Sequence, residues 1–385
     1  MKNVGIVCEY NPFHNGHEKQ LRHVGAFGAS ICLMSGNYVQ RGEPAIVDKY
    51  IRARAAVECG ANLVLELPLT YAIASAEGFA DGAVEIFSRL GCIDALCFGS
   101  ESGDLQALMQ TAERLLAPEF SELLKKELDK GVSFPKARQL ALGSTCLEQP
   151  NDILGVEYCK AILKRGHAIE PMTLRREGDY HTGEECENPS ASYLRTQEDW
   201  SGFMPPAAWE LFRKAPRYTI AAGERAWLAR LRAMSEAEFE ALPYGSEGLW
   251  RKLMQACRRE RSLEDILLAT KSKRYPRTRL MRMLLCAYLG ITEQMMQQPV
   301  PYVRVLATDE IGQTLLRRMR KSASIDLLHA GETAPRCEYA EWERRAEDLY
   351  GLFCADDLQT AGALRDARLF RKNLEKNEKN TCILL

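Results

Sequence analysis

The sequence predicts an α/β domain with a parallel β-sheet over residues 1–204, followed by a mostly α-helical domain over residues 205–385. In the first part, short apolar runs alternate with helical patterns, which is typical of parallel strands connected by helices. After Pro205-Pro206 this alternation stops, and helical patterns continue towards the C terminus. The length of 385 residues is consistent with two or three domains.

The first strand-to-helix junction carries the strongest chemical signal. Residues 4–8 form an apolar run that predicts a buried strand, residues 11–12 (Asn-Pro) predict a turn, and residues 14–17 (HNGH) stand where a helix begins. A helix start offers unpaired N–H groups and the positive end of its dipole, the glycine allows close approach, and each histidine can donate a ring N–H. The junction therefore predicts a phosphate site. Helix capping, or half of a metal site, are the alternatives.

The other elements follow in order. Further strands are predicted at 30–34, 63–67, 93–98 and 167–174, and helices at 71–89, 104–130, 135–142 and 150–165. Glycine-bearing loops follow two of the strands, where open α/β sheets bind ligands. Lys49, Arg52 and Arg54 lie on a helix after Pro44 and fit either a solvated face or a site. Asn151 is predicted to be the N-cap of the last helix.

A second candidate phosphate element lies at residues 189–195 (PSASYLR). Ser190 and Ser192 flank one position, Arg195 follows, and a helix start is predicted here. Hydroxyls beside an arginine provide several donors for phosphate oxygens. An ordinary capped helix is the alternative.

Composition argues against export and membrane insertion. No apolar run approaches the ~20 residues of a membrane span, and no signal-peptide pattern is recognised. The 13 cysteines show neither a CxxC pair nor zinc-binding spacing. We therefore expect a cytoplasmic protein with reduced thiols, no membrane association and no metal site built from its own side chains.

Charge is unevenly distributed along a nearly neutral chain. Residues 1–200 have 20 basic and 28 acidic residues, whereas residues 201–385 have 31 and 24. Within the second part, residues 251–300 contain 11 basic and 4 acidic residues, a footprint typical of polyanion binding. Tyr275 in this block could stack on a base, although a solvated face is the alternative. The residues predicted to contact nucleic acid are Lys271, Lys273, Arg274, Arg277 and Arg279.

Several motifs together carry a family resemblance. HNGH resembles the HxGH signature of the nucleotidyltransferase superfamily, the adenylate-forming relatives of class I aminoacyl-tRNA synthetases. The ordered set EYNPFHNGH, SGNYVQRGEPAIVDK, LVLELP, FGSE, PNDILG and SKRYPRTRLMRML resembles the bacterial tRNA(Met) cytidine acetate ligase family. These motifs span most of the chain. The resemblance implies a Rossmann-like, HIGH-type nucleotidyltransferase domain before the helical region.

The resemblance also implies site residues. His14 and His17 would be catalytic, and Mg²⁺ would accompany the ATP phosphates rather than occupy a protein cage. Gly99 would contact ATP, with a plain turn glycine as the alternative, and Tyr193 departs from the family pattern. The ATP-binding residues implied are Val7, Cys8, Glu9, Tyr10, Asn11, Pro12, Phe13, His14, Asn15, Gly16, His17, Gly99, Asn151, Arg176, Ser190, Ser192 and Arg195.

The reaction that the resemblance implies is an ATP-dependent acetylation of the wobble cytidine of elongator tRNA(Met). Acetate and ATP would give acetyl-adenylate and pyrophosphate, and the cytidine N4 amine would then take the acetyl group and release AMP. No protein partner is predicted. Two alternatives remain: nucleotidyl transfer that makes a cofactor or activated small molecule, and a non-catalytic RNA-binding protein regulated by ATP.

Overall fold

The structure is a computed structural model that describes residues 1–176, 191–197, 199–272, 274–364 and 367–373. Its strands are β1 Lys2–Cys8, β2 Gly28–Ser35, β3 Tyr38–Val39, β4 Glu43–Pro44, β5 Leu63–Leu67, β6 Ala95–Ser100, β7 Glu170–Arg175, β8 Tyr302–Thr308, β9 Asp326–His329 and β10 Phe370–Arg371. Its helices are α1 Asn15–Gly25, α2 Lys49–Glu58, α3 Leu69–Ala72, α4 Ala76–Leu90, α5 Leu105–Leu116, α6 Phe120–Leu128, α7 Phe134–Leu142, α8 Pro150–Arg165, α9 Ala191–Leu194, α10 Pro206–Phe212, α11 Ile220–Ala233, α12 Glu236–Glu240, α13 Leu249–Arg259, α14 Leu263–Thr270, α15 Arg277–Leu289, α16 Glu293–Met296, α17 Glu310–Ser322 and α18 Glu338–Tyr350.

The main sheet has the strand order β10-β8-β5-β2-β1-β6-β7, with β9 also paired to β8. Strands β5, β2, β1, β6 and β7 run parallel to one another. Their carboxyl ends therefore lie along one edge, where the loops after β1, β2, β6 and β7 meet. The predicted α/β fold with a helical C-terminal region is confirmed.

The sheet differs from the prediction in one respect. Strand β8 is antiparallel to β5, and β8, β9 and β10 all come from beyond residue 300. The sheet is therefore mixed, and it draws strands from both sides of the predicted boundary at residue 205. These strands were not predicted from the sequence, because helical patterns dominate residues 205–289. The apolar run at 302–308 is too short to be recognised as a strand by its periodicity alone.

The two faces of the sheet have separate apolar cores, which explains the alternation in its central strand. Ile31 and Leu33 of β2 pack in one core, whereas Cys32 and Met34 pack in the other. Helices α4, α8 and α17 cover the first face, and α1, α2 and α10 cover the second. A third core, within the C-terminal helices, is built around Trp227.

A fully buried arginine fixes the loops at the ligand edge of the sheet. Arg52 on α2 donates to the carbonyl oxygens of Val47 at 2.8 Å, Glu9 at 2.5 Å and Ser35 at 3.1 Å, and also to Gly36. Buried carbonyls need such partners. Arg52 thus joins the ends of β1 and β2, so of the two alternatives the solvated face is wrong for this residue.

A second buried cation connects this edge to the C-terminal helices. Lys49 is 1% exposed, and its Nζ lies 2.8 Å from Glu66 Oε2 and 2.5 Å from Glu347 Oε1. Burial alone would lower the pKa of Lys49, but Glu347 and Glu66 raise it well above its usual value. Lys49 on α2 therefore connects α18, which carries Glu347, to the end of β5, which carries Glu66.

We expect Arg52→Met to destabilise the fold by about 3–5 kcal/mol, because the carbonyls that Arg52 holds would lose a buried charged partner. The matched control is Arg54→Met, two positions along α2, where the exposed guanidinium stacks over Phe370 at 4.9 Å. That change should cost about 0.5–1 kcal/mol. Urea unfolding measures both variants, and equal losses would contradict this role of Arg52.

Candidate active site

The HNGH turn folds as a reciprocal helix cap. His14 is the N-cap of α1, its Nδ1 accepts the Gly16 N–H at 3.1 Å, and the His14 N–H donates to Nδ1 of His17 at 3.2 Å. The two imidazole rings are stacked with centroids 3.7 Å apart. A Cβ at position 16 would lie 2.9 Å from His14 Cε1, so glycine is needed for this packing.

These hydrogen bonds define the protonation of both rings. Each Nδ1 accepts a backbone N–H and therefore carries no proton, so the neutral ring has its proton on Nε2. Burial, assisted by the Arg176 charge, lowers the pKa of His14 to about 3. Burial and the neighbouring His14 and Arg176 lower the pKa of His17 well below its usual value. Both histidines are thus neutral Nε2–H donors at physiological pH.

The turn borders a cleft of about 660 Å³ at the carboxyl edge of the sheet. Most of the predicted ATP-binding residues line this cleft: Val7, Cys8, Glu9, Tyr10, Asn11, His14, Gly16, His17, Gly99, Asn151, Arg176, Ser192 and Arg195. Pro12, Phe13 and Asn15 do not line it, and Phe13 is instead buried in the core, with its ring 5.6 Å from that of His17. Ser190 lies outside the described residues.

The cleft is strongly cationic. Among the described residues, seven basic side chains line it, and Glu9 is its single acid. The sequence motifs predicted only two of these seven bases, Arg176 and Arg195. The basic residues are Lys19, Arg41, Arg138, Arg175, Arg176, Arg195 and Arg282. Arg41 follows a predicted ligand-edge loop and could have been found there, but Arg138 and Arg282 come from distant helices and had no local signal.

The loop after β6 is organised by the start of α8. Glu101 accepts the Asp152 N–H at 2.9 Å and the Asn151 side-chain amide at 2.6 Å. The predicted N-cap role of Asn151 is wrong, because the helix begins at Pro150 with Gln149 as its N-cap. Asn151 is instead held by Glu101, and its Oδ1 lies 3.5 Å from Nη1 of Arg176.

Arg176 passes close over the strand end. A Cβ at Gly99 would lie 3.2 Å from Arg176 Cγ, and the Arg176 N–H donates to the Ser100 carbonyl at 2.8 Å. Gly99 therefore leaves the room that this arginine needs to enter the cleft. The sequence prediction placed both residues at this edge.

The second candidate phosphate element contacts the first. Arg195 Nη1 donates to the Asn11 carbonyl at 2.9 Å, and Nη2 donates to Ser192 Oγ at 3.3 Å. Asn11 is itself fixed, since its Oδ1 accepts the Ile46 N–H at 2.8 Å. The two motifs, about 180 positions apart in sequence, thus form one wall.

One side of the cleft is apolar. It is formed by side chains of α4, α7, α8 and β6, including Phe79, Phe98, Phe134, Leu154 and Tyr158. An apolar wall beside a cationic one suits a nucleotide, which has a flat ring at one end and phosphates at the other.

Helix α15 of the helical region also borders the cleft. Pro276, Thr278 and Arg282 line the cleft there. Arg282 stacks over Tyr244 at 5.3 Å, burial lowers its pKa, and its buried Nε has no hydrogen-bond partner among the described residues. The cleft is therefore shared by the α/β and helical regions.

The basic block is more compensated than its sequence indicates. Arg274 pairs with Glu247 at 2.5 Å, and Arg277 pairs with Glu264 at 2.7 Å. Arg279 donates to the Tyr244 carbonyl at 2.6 Å. Lys271 is exposed, and Lys273 lies outside the described residues. These acids come from the loop before α13 and from α14, and they partly neutralise the block, whose nucleic-acid role stays a prediction.

Two kinds of feature, a metal-binding cluster and a membrane-spanning helix, are absent from the described part of the chain. It contains no group of three or more histidine, cysteine, aspartate or glutamate side chains placed to hold a metal ion. Within the same residues, no helix has the length and apolar character to cross a bilayer.

We expect NMR to find both active-site imidazoles neutral and protonated at Nε2 from pH 5 to pH 8, because each Nδ1 accepts a backbone N–H and burial opposes the charged form. Imidazole ¹⁵N shifts measure this directly, and a His17→Ala variant assigns the signals. A titration of either ring near pH 6.5, or a proton on Nδ1, would contradict the cap geometry.

This chain is similar to known proteins in both sequence and fold. The model of the HIGH Nucleotidyl Transferase family matches residues 1–364. A tRNA(Met) cytidine acetate ligase of Clostridium perfringens is 33% identical over 383 residues, covering 91% of this chain and 95% of the relative. That of Caldanaerobacter subterraneus subsp. tengcongensis is 36% identical over 359 residues, covering 85% and 88%.

A solved structure agrees with these relatives. The crystal structure of Thermotoga maritima TmcAL bound with alpha-thio ATP superposes with a TM-score of 0.85 at 30% identity, covering 97% of this chain and 100% of that chain. The apo form of the same protein gives a TM-score of 0.87. The chain belongs to the tRNA(Met) cytidine acetate ligase family, within the HIGH nucleotidyl transferases.

Proposed function

We propose that this protein is an ATP-dependent ligase that joins acetate to the N4 amine of the wobble cytidine of elongator tRNA(Met). The observation that carries the proposal is one cationic cleft that is lined both by the HNGH turn and by α15. Relatives named tRNA(Met) cytidine acetate ligase, and a TmcAL structure bound with an ATP analogue, support it. The proposal includes a cytoplasmic location, since that is where a tRNA substrate is found.

In the first step, an acetate oxygen attacks the α-phosphate of ATP, the bond to the β-phosphate breaks, and acetyl-adenylate and pyrophosphate form. Charge develops on the departing pyrophosphate, and preorganised donors stabilise it. The Nε2–H groups of His14 and His17 serve as such donors and, being neutral, need not be desolvated as ions. Arg176 and Arg195 add positive charge, and Mg²⁺ would neutralise phosphate oxygens when bound.

In the second step, the cytidine N4 nitrogen attacks the acetyl carbonyl carbon and the bond to AMP breaks. No acetyl-CoA is required, because ATP supplies the activation. The protein contributes chiefly by holding the reactants together. The contact of Arg195 with Asn11 and Ser192 fixes the second phosphate element against the first.

Pyrophosphate exchange tests the proposed function. We expect incorporation of labelled pyrophosphate into ATP only when acetate is present, and formation of N4-acetylcytidine when tRNA is added. His17→Ala should lower both rates by ~10²–10³-fold through the loss of one donor. Mass analysis of tRNA nucleosides measures the product.

The alternatives predict other outcomes of the same assay. Exchange that depends on a phosphorylated metabolite would favour cofactor synthesis, and no exchange at all would favour a non-catalytic RNA-binding protein. A His17→Ala variant with wild-type rates would remove that residue from the reaction.

We expect the double change Lys271→Glu and Arg274→Glu to weaken tRNA binding and to lower the slope of log K against log salt by ~1–2, since each lost phosphate contact removes ~0.7–0.9. Both residues are exposed. The surface ion pair of Arg274 with Glu247 is weak and therefore competes little with an RNA phosphate for Arg274. Binding over a salt series measures the effect.

The matched control changes Arg213 and Lys214, which directly follow α10, to glutamate. These bases are also exposed, and both lie beside Glu210. The control should leave the salt slope nearly intact. If the two double variants behave alike, the tRNA surface lies outside the basic block.

A further inference from the structure

Glu9 stands apart from every other charged group of the cleft. It directly follows β1, and among the described residues it is the single acid in a wall that carries seven bases. Its Oε1 accepts the Gln40 N–H at 2.8 Å, and no hydrogen bond to Oε2 is found in the described part of the chain. One carboxylate oxygen is therefore fixed, and the other remains available to a ligand.

The charge of Glu9 does not match the first half-reaction. ATP and acetate are both anions, and a carboxylate close to either would repel it. The third substrate is different, because the exocyclic N4 amine of cytosine is a neutral donor, and carboxylates accept hydrogen bonds from this group. The amine must also lose a proton once it has attacked the acetyl carbonyl.

The loop that holds Glu9 leads towards the helical region. Gln40, which donates to Glu9, belongs to the β3–β4 connection, and Gly42 of that connection packs on α15 so closely that a Cβ would lie 2.6 Å from the Arg282 backbone nitrogen. Glu9 is thus tied to the side of the cleft where α15 supplies Thr278 and Arg282. This is also the side of the basic block.

Resting on the proposed function, we propose that Glu9 binds the N4 amine of the target cytosine and acts as the general base of acetyl transfer. The N4 nitrogen forms a bond to the acetyl carbon, the bond between that carbon and the AMP oxygen breaks, and the surplus amine proton passes to Glu9 Oε2. The products are N4-acetylcytidine, AMP and a protonated Glu9, which releases its proton to solvent.

The surroundings of Glu9 suit a proton acceptor. Burial raises the pKa of Glu9, while the Gln40 N–H and the charges of Arg195, Arg52 and Arg41 oppose the rise. The raised pKa makes the Glu9 carboxylate more basic than an exposed one. A general base works best when its pKa lies close to the operating pH.

Glu9→Gln is the direct test, because the amide keeps an oxygen for the Gln40 N–H but cannot take the proton. Acetyl-adenylate formation is measured by acetate-dependent pyrophosphate exchange, and transfer by single-turnover acetylation of tRNA from preformed intermediate. We expect transfer to fall ~10²–10⁴-fold, and at least about a hundredfold more than exchange. Glu9→Asp, which keeps the base, should retain part of the transfer rate.

His17→Ala is the contrasting variant. In it, pyrophosphate exchange and the overall acetylation of tRNA from ATP and acetate should decline together. Parallel losses of exchange and transfer in Glu9→Gln would assign Glu9 to adenylate formation and overturn the proposal, as would wild-type transfer. Thermal unfolding of both Glu9 variants controls for folding, and Glu9→Asp keeps the test decisive if Glu9→Gln is unstable. Absence of acetate-dependent exchange in the wild-type protein would instead refute the proposed function.

Discussion

The buried guanidinium of Arg52 is the interaction on which the ligand edge depends. A sheet with parallel central strands leaves several loop carbonyls at its carboxyl edge without partners, and water cannot reach those that are buried. Arg52 satisfies four of them from one side chain, including the carbonyl of Glu9, which begins the loop that leads to the HNGH turn. The positions of the first turn and of the loop after β2 therefore depend on each other.

This constraint reaches the helical region through the neighbouring residue Lys49. Its backbone N–H donates to Asn37 at 2.9 Å, and its ammonium group binds Glu66 and Glu347. Burial raises the pKa of Glu66 to about 6, and Lys49 opposes this rise. Because removal of one partner would leave a buried charge uncompensated, α18 and the sheet edge are coupled strongly. One helix, α2, thus orders the site by two buried cations.

Sequence reasoning succeeded where the signal is local. The HNGH turn, Gly99 and Arg176 were placed correctly at the cleft, because strand-to-helix order and loop glycines are readable within a few residues. It left Arg52 undecided between a solvated face and a site, since helical periodicity alone does not distinguish a solvated stripe from one covered by loops. It missed Arg282 because the chain must fold before α15 reaches the cleft, more than 260 positions after the first turn. The acids that pair with Arg274 and Arg277 were missed for the same reason, as they lie 27 and 13 positions away.

The cleft must accept two polyanions, and electrostatic attraction alone cannot separate them. The seven basic side chains found among the described residues attract ATP and RNA alike. Which ligand binds where therefore depends on which donors are fixed and which charges lie at the edge. The stacked, neutral histidines are rigid and directional, which suits a compact triphosphate that reacts in line. The exposed bases around α15 suit a flexible RNA strand, whose phosphates position it without specifying it. Glu9, the single acid among the described residues of the cleft, adds what neither set of donors provides, a group that repels phosphate and accepts a hydrogen bond from an amine.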